Sequence, residues 1–341
     1  MTLRAGLYKK RQKRQSFRKR AIGAVIVAAC IGLMIVGSKW LEARLYPQHT
    51  SDDPDVAVYQ DNAISVDGVT YAPRKNLYTV LLMGIDRDSD DAIIGFRSGG
   101  QADFLRLLVI DPANRTVSQL AIDRDTMTPI TVLSFLGDRQ DTQTLQICLS
   151  HGYGDGKAQS CGFTVDAVSN LLMGAKVDHY AAVELDGISS IKDWAGGVTV
   201  TLGDDFSNLD PEMTRGQTIT LTGDQAEIFV RERMSVSDGT NANRMARQSV
   251  YLNAMADQVG ARVKANREEI NSLLNVLEPY LVTDMSKEQL INEIWNARDY
   301  DILEAVDIPG LHRIGEDGFM EYHVDAQALK DVVLATFYEP I

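Results

Sequence analysis

The stretch LRLLVIDPANRTVSQLAIDRDT, Leu105–Thr126, decides how the rest of the chain is read. An apolar run, Leu105–Ile110, meets the turn cluster Asp111-Pro112-Ala113-Asn114-Arg115, and a second apolar run, Val117–Ile122, follows. Two such runs flanking turn residues predict an antiparallel hairpin. Centred on Ala113–Asn114, the hairpin sets position 103 opposite position 124. Asp103 then lies beside Asp123-Arg124-Asp125 at one end of the sheet. Carboxylates and an arginine at the end of a buried strand pair are costly unless they hold something. A charged strand exit that only meets water would give the same string.

The surrounding segments predict an α/β fold: a single exported domain with a central mixed β-sheet flanked by helices. Asn76–Gly84 reads as a strand running into Asp86-Arg87-Asp88. Ile94–Ala102 and Asp138–Ser160 are rich in glycine and polar residues and read as loops. Apolar spacing predicts a helix over Thr164–Leu172. Tyr180–Leu185 is expected as a strand, Gly187–Trp194 as a short helix, and Val198–Val200 as a strand after a Gly196-Gly197 turn. Thr222-Gly223-Asp224-Gln225 has the form of a capping box opening a helix to about Val230. Further helices are expected over Ala242–Val263, Asn266–Leu277, Lys287–Arg298 and Ala326–Phe337, with a strand over Ile302–Ile308.

Charge is divided along the chain. Residues 1–20 carry nine Lys/Arg and no acid, so the remainder stands at −22, the −13 total less those nine cations. Ala21–Gly37 follows without a charge. As a helix it would span about 25 Å. It is at the short end for a bilayer crossing, and Lys39 can snorkel to extend it. The cations before it place the N-terminus in the cytoplasm and the bulk outside. A cleaved signal peptide, or lipid attachment at Cys30 after Val27-Ala28-Ala29, shares parts of this pattern. Continuation of the apolar run through Ile31–Gly37 favours an uncleaved single-pass anchor in the cell membrane. Expected boundaries are a basic tail at 1–20, an anchor at 21–40, a spacer at 41–75, a main exported domain at 76–260, and a C-terminal α/β extension at 261–341 packed on the same domain. Cys148 and Cys161 lie in the exported part, where a disulfide is chemically allowed, and pairing and free thiols are both open.

Two constellations carry chemistry. Asp86–Asp91 resembles a calcium loop, but positions six and twelve would be Asp91 and Arg97, so the EF-hand pattern fails. What survives is a carboxylate at a strand end. Asp86 with Asp103 could hold one magnesium ion, which takes one or two carboxylates plus phosphate oxygens. The second constellation is Arg231, Arg233, Arg244 and Arg247, four arginines in 17 residues of an acidic chain. Arg244, Arg247 and Gln248 share one helix face. Arginine's planar fork suits phosphate; a solvated, salt-bridged helix face is the plainer alternative. Together the pieces favour a polyphosphate ligand. No GxxxxGK and no GxSxG occurs, and the five histidines are scattered, so a P-loop or Ser/His site is poorly supported. A nucleic-acid role for the short basic tail is disfavoured by its position against the apolar run.

NLYTVLLMGIDRD, the Arg97-Ser98 stretch ending at Asp103, IDRDT, AVSNLLMGAKVDHY, GGVTV, LTGDQAEIFVRERM and NRMARQ resemble the LytR–CpsA–Psr family, in the same order over Asn76–Val259. The resemblance implies a transferase of cell wall biogenesis. Such an enzyme moves an anionic glycopolymer from a polyprenyl-pyrophosphate carrier to a peptidoglycan hydroxyl. It also implies a magnesium ion and a lipid pocket between sheet and helices. Carried over by motif, Asp86 and Asp103 would be cation ligands. Arg87, Arg97, Arg124, Arg231, Arg233, Arg244, Arg247 and Gln248 would face the pyrophosphate, with Arg124, Arg231, Arg233 and Asp103 as the catalytic set. Asp103 and Asp125 are the candidates for the base. Three positions depart from the family pattern. Arg97-Ser98 is separated from Asp103, where the family has a compact Arg-Ser-Asp or Arg-Thr-Asp. Asn241 stands for an aspartate, and Asp123 stands for a proline. A pyrophosphate hydrolase acting on lipid-linked intermediates, or a non-catalytic membrane-tethered protein that binds wall polymer, would use the same residues.

Overall fold

In the computed structural model, which describes residues 63–66, 68–86, 99–134, 139–221, 223–232, 236 and 241–341, the hairpin forms in the expected register. Leu105 pairs with Ile122 and Asp111 with Thr116. Asp111 closes the turn by accepting from Asn114 N at 3.0 Å and from its side-chain amide at 2.6 Å.

In chain order the strands are β1 (Ile64–Val66), β2 (Val69–Pro73), β3 (Tyr78–Asp86), β4 (Gln101–Asp111), β5 (Thr116–Ile122), β6 (Met127–Leu133), β7 (Arg139–Gln146), β8 (His179–Glu184), β9 (Val198–Thr201), β10 (Thr218–Leu221), β11 (Leu281–Thr283), β12 (Asp301–Asp307), β13 (Gly310–Ile314), β14 (Met320–Val324) and β15 (Tyr338–Pro340). The helices are α1 (Leu149–Gly152), α2 (Ala158–Leu171), α3 (Leu185–Ala195), α4 (Gly223–Arg231), α5 (Asn241–Ala265), α6 (Arg267–Leu277), α7 (Lys287–Ala297) and α8 (Ala326–Phe337). The backbone packs into two units. One is Gly187–Pro279; the other holds the described residues through Asp186 together with Tyr280–Ile341.

The larger unit is built on a six-stranded sheet in the order β11-β8-β3-β4-β5-β12. The sheet is mixed: β4 runs antiparallel to β3 and β5, while β8 is parallel to β3 and β12 to β5. Strand alternation puts Leu105, Leu107 and Val109 on one face, with Leu81, Met83 and Leu120 beside them. Cys161, Ala167, Val168 and Leu171 of α2, and Leu329, Val333 and Phe337 of α8, close this core. Packed sheet and helix faces of this kind are the main favourable term in folding.

The polar stretch 138–160, expected as a loop, contains β7, α1 and the start of α2. The reason is local. Residues 141–144 of β7 face water while its backbone pairs with β6, so no apolar alternation marks this part of the strand. In α1 and α2, polar side chains are buried because each has a partner: Ser150 Oγ donates to Thr164 Oγ1 at 3.0 Å, and Ser160 Oγ accepts from Gly156 N at 2.7 Å. The loop expected through Ala102 ends early, since β4 already begins at Gln101. A side chain at Gly99 would collide with the His151 carbonyl oxygen, so glycine brings the chain close against α1 before β4 starts. Cys148 and Cys161 are buried free thiols.

The smaller unit holds the β9–β10 hairpin and α4, α5 and α6. Phe206, Phe229 and Tyr251 stack at ring separations of 5.6 and 6.5 Å within its core. The expected helices at 242–263, 266–277, 287–298 and 326–337 are present within a few residues. Asn266 caps α6 and Ser286 opens α7 with a full capping box. The box expected at Thr222 lies outside the described residues, although α4 follows it. Among the described residues no helix is long and apolar enough to cross a membrane. The apolar run at 21–37 and the tail before it lie outside those residues.

Candidate functional site

The β4–β5 register brings Asp103 and Arg124 together. Arg124 Nη1 lies 2.5 Å from Asp103 Oδ2, and Arg124 Nε lies 3.5 Å from Asp125 Oδ1. The turn after β5 is shaped by its own side chains and by α1: Asp125 N donates to Asp123 Oδ1 at 2.9 Å, and Cys148 N to the Arg124 carbonyl at 3.1 Å. The Cys148 carbonyl in turn accepts from Ala102 N at 3.0 Å. One residue thereby ties the start of β4 to the arginine turn.

Two further groups reach Arg124. Gln101 Oε1 accepts from Nη2 at 2.6 Å, and Cys148 Sγ lies 3.7 Å from the same nitrogen. Burial raises the Cys148 pKa, with Arg124 opposing, so the group beside Arg124 is a neutral thiol at pH 7. Burial also raises the Asp103 pKa; Arg124 pulls it down, while Asp86 and Asp125 push it up. Burial works against the charge on Arg124 as well, but Cys148, Asp103 and Asp125 outweigh it and hold its pKa above the ordinary value. Asp103 Oδ1 is buried and has no hydrogen-bond partner among the described residues. A buried carboxylate oxygen without a donor, with Asp86 acting on the same group, fits a cation ligand.

On the other side of the turn Asp123 meets His312 of β13, Nε2 to Oδ2 at 3.1 Å, and the His312 ring stacks on Tyr322 at 4.7 Å. Asp123, Asp125 and His312 each bring a ligand atom within 4.8 Å of the others, a donor set of the kind that accepts a divalent cation. The β13–β14 hairpin is pinned here by Tyr322 N donating to the Asp125 carbonyl at 2.7 Å.

The remaining expected residues divide as follows. Asp86 is the last residue of β3 and is exposed. Arg87, Arg97 and Arg233 lie outside the described residues. Arg231 ends α4, and Arg244 and Gln248 are in α5, but their side chains are likewise outside what is described. Arg247 is described, and its guanidinium is turned inward. Nε donates to the Phe229 carbonyl at 3.1 Å, Nη2 to the Glu232 carbonyl, and Nη1 lies 3.4 Å from Asp204. The side chain is 6% exposed. It braces the end of the helix that carries Arg231, rather than presenting a free fork as the motif suggested.

Gln101, Cys148 and His312 were missed by sequence reasoning. For Gln101 the signal was present: the first position of a compact triplet ending at Asp103 is Gln101, two residues before it, and not Arg97. Cys148 and His312 have no such local signal.

Residues 45–336 match the model of the LytR_cpsA_psr family. A Bacillus mycoides (strain KBAB4) protein named polyisoprenyl-teichoic acid–peptidoglycan teichoic acid transferase TagU is 23% identical over 309 residues, which is 90% of this chain and 93% of its own length. A Halalkalibacterium halodurans protein of the same name is 30% identical over 181 residues, 53% of each chain. Among solved structures, B. subtilis TagV superposes with a TM-score of 0.52 at 22% identity, covering 77% of this chain and 96% of that one. Streptococcus agalactiae gbs0355 superposes at 0.54 with 19% identity, covering 76% and 86%. The structural likenesses establish a shared fold.

Proposed function

Since this chain belongs to the LytR_cpsA_psr family, we propose that it transfers an anionic wall glycopolymer, of the teichoic-acid class named for its relatives, from a polyprenyl-pyrophosphate carrier to peptidoglycan. The observation that carries this is the Asp103–Arg124 pair at 2.5 Å, with the second Asp103 oxygen buried and unpartnered among the described residues. Such a pair offers a fixed cation for a diphosphate and an acceptor for a metal at adjacent points.

Phosphoryl transfer needs positioning and charge neutralisation more than covalent help from the protein. Arg124 is proposed to bind the diphosphate oxygens, held by Asp103, Gln101 and Asp125. Arg87, Arg97, Arg231, Arg233, Arg244 and Gln248 are proposed to add further donors. Magnesium held by Asp86 and Asp103 would supply positive charge toward the same oxygens. The peptidoglycan hydroxyl attacks the sugar-linked phosphorus, polyprenyl phosphate departs, and the hydroxyl proton passes to Asp103 or Asp125. The lipid tail is proposed to lie between sheet and helices. Residues 21–37 are proposed as a single-pass anchor with the N-terminus in the cytoplasm, supported by the nine cations before them.

The test is incubation of the full chain with a polyprenyl-pyrophosphate-linked teichoic-acid precursor, with and without peptidoglycan fragments. Phosphodiester-linked product that forms only with the acceptor supports transfer. Polyprenyl phosphate released equally without acceptor identifies a hydrolase, and tight binding without turnover a non-catalytic protein.

A further inference from the structure

We propose that Gln101 is the positioning residue that sets the plane of the Arg124 guanidinium for the transfer described above, on which this inference rests. Gln101 and Asp103 flank Ala102 on β4, where the pairing with β3 shifts register between Ala102 and Phe104 and leaves Asp103 as the bulged residue; Ala102 is fully buried, and both flanking side chains reach Arg124. Two acceptors therefore stand side by side along one strand edge. They take the two terminal nitrogens of one guanidinium: Asp103 Oδ2 at 2.5 Å from Nη1 and Gln101 Oε1 at 2.6 Å from Nη2. Arginine has no acceptor, so the Gln101 atom facing it is the oxygen, and the amide NH2 points elsewhere. With Asp125 near Nε at 3.5 Å, the planar group is held from three directions and cannot turn about its own bonds without losing a partner.

The residue type matters. A glutamate at 101 would add a negative charge beside Asp86, Asp103 and Asp125, whose mutual repulsion already acts on Asp103. An arginine at 101, which the family triplet carries, would repel Arg124. Glutamine supplies the acceptor and changes no charge. The Cys148 thiol, 3.9 Å from Gln101 Oε1 and 3.7 Å from Nη2, packs behind both partners, and burial keeps water from replacing that contact. Gln101 itself is exposed, so its removal leaves the buried core intact. Its effect should appear in the orientation of Arg124 and not in stability.

The test uses the full chain in detergent micelles and the variants Gln101→Met, which keeps length but has no acceptor, and Gln101→Glu, which keeps an oxygen acceptor. Transfer kinetics are measured alongside nitrogen-15 NMR of the Arg124 guanidinium, assigned by its loss in Arg124→Ala. The expected result is a fall in kcat of about 10- to 100-fold in Gln101→Met, the scale of a misplaced catalytic group, with KM within about threefold of wild type. Arg124 Nη signals should be separate in wild type and in Gln101→Glu, and averaged by rotation in Gln101→Met. Wild-type kcat in Gln101→Met, or a lowered kcat with unchanged Arg124 signals, would overturn the assignment. If wild type shows no transfer at all, the transfer function fails on its own, and the NMR comparison alone then decides whether Gln101 fixes Arg124.

Discussion

Arg124 Nη1 sits 2.5 Å from Asp103 Oδ2, a contact made just beyond the end of the β4–β5 ladder and held by the turn that follows β5. The ladder ends where Leu105 pairs with Ile122, and two positions beyond that pair Asp103, the bulged residue of β4, meets Arg124 in the turn. A bulge of this kind re-aims a side chain at a strand end. The six-stranded sheet and the α2 and α8 helices packed on it therefore fix a chemical relationship at their edge.

The carboxyl of Asp103 is the shared point of arginine and proposed metal. Asp103→Asn removes the charge and keeps the shape. Isothermal titration with magnesium or manganese should show weakened binding, about 10- to 100-fold, relative to wild type. Binding equal to wild type would remove Asp103 from the metal site.

Glu293 of α7 is 5% exposed, and burial pushes its pKa from 4.5 up to about 7, with His179 and the Tyr78 hydrogen bond partly opposing. The folded protein then holds a proton between pH 4.5 and 7 that the unfolded chain has lost. Stability from this group is full below 4.5, falls as pH rises, and is gone above 7, for a total of up to about 3 kcal/mol. Thermal melts from pH 5 to 8 should fall more steeply for wild type than for Glu293→Gln. Parallel curves would show that Glu293 does not titrate as described.

Cys148 and Cys161 are both buried, and burial raises both thiol pKa values, that of Cys161 to about 12. Each should react slowly with iodoacetamide at pH 7.5 in the folded protein and quickly in denaturant, followed by peptide mass spectrometry. A disulfide between them would appear as resistance to labelling in denaturant until a reductant is added, and would contradict the free thiols.

Arg247 is bound to two backbone carbonyls at the end of α4 and to Asp204, and it lies over the Phe206 ring at 5.6 Å. Lysine cannot reproduce this fork. Arg247→Lys should cost about 2–3 kcal/mol in urea unfolding, since buried carbonyls lose charged donors. No change in midpoint would mean the guanidinium is not bracing the helix.

Much of this was legible in the sequence, for identifiable reasons. The hairpin was readable because Leu105–Ile110 and Val117–Ile122 are both apolar and Asp111–Arg115 has turn chemistry, which together set register and hence the Asp103–Arg124 pair. The helix over Thr164–Leu172 was readable from apolar spacing, and α5 to α8 lie within a few residues of the segments expected for them. Residues 138–160 were not readable, because Ser150 is buried by pairing with Thr164 and Ser160 by accepting from Gly156 N, and buried polar networks carry no apolar period. Gln101 was passed over because Gly99-Gly100 makes the segment look like a loop, although β4 starts there. His312 meets Asp123 across 189 positions of sequence, a pairing that no local pattern encodes. Arg247 shares a helical face with Arg244, yet nothing in that spacing says that the fork will be consumed by carbonyls of the preceding helix.

The most direct test of the central claim is a single-turnover assay of polyprenyl phosphate release from a labelled lipid-pyrophosphate donor, with peptidoglycan acceptor, comparing wild type and Arg124→Ala at equal folded concentration. Loss of one preorganised charge at the reacting phosphate predicts a rate lower by about 100- to 1,000-fold in the variant. Equal rates in the two proteins would contradict the assignment of Arg124, and with it the site built on the Asp103–Arg124 pair.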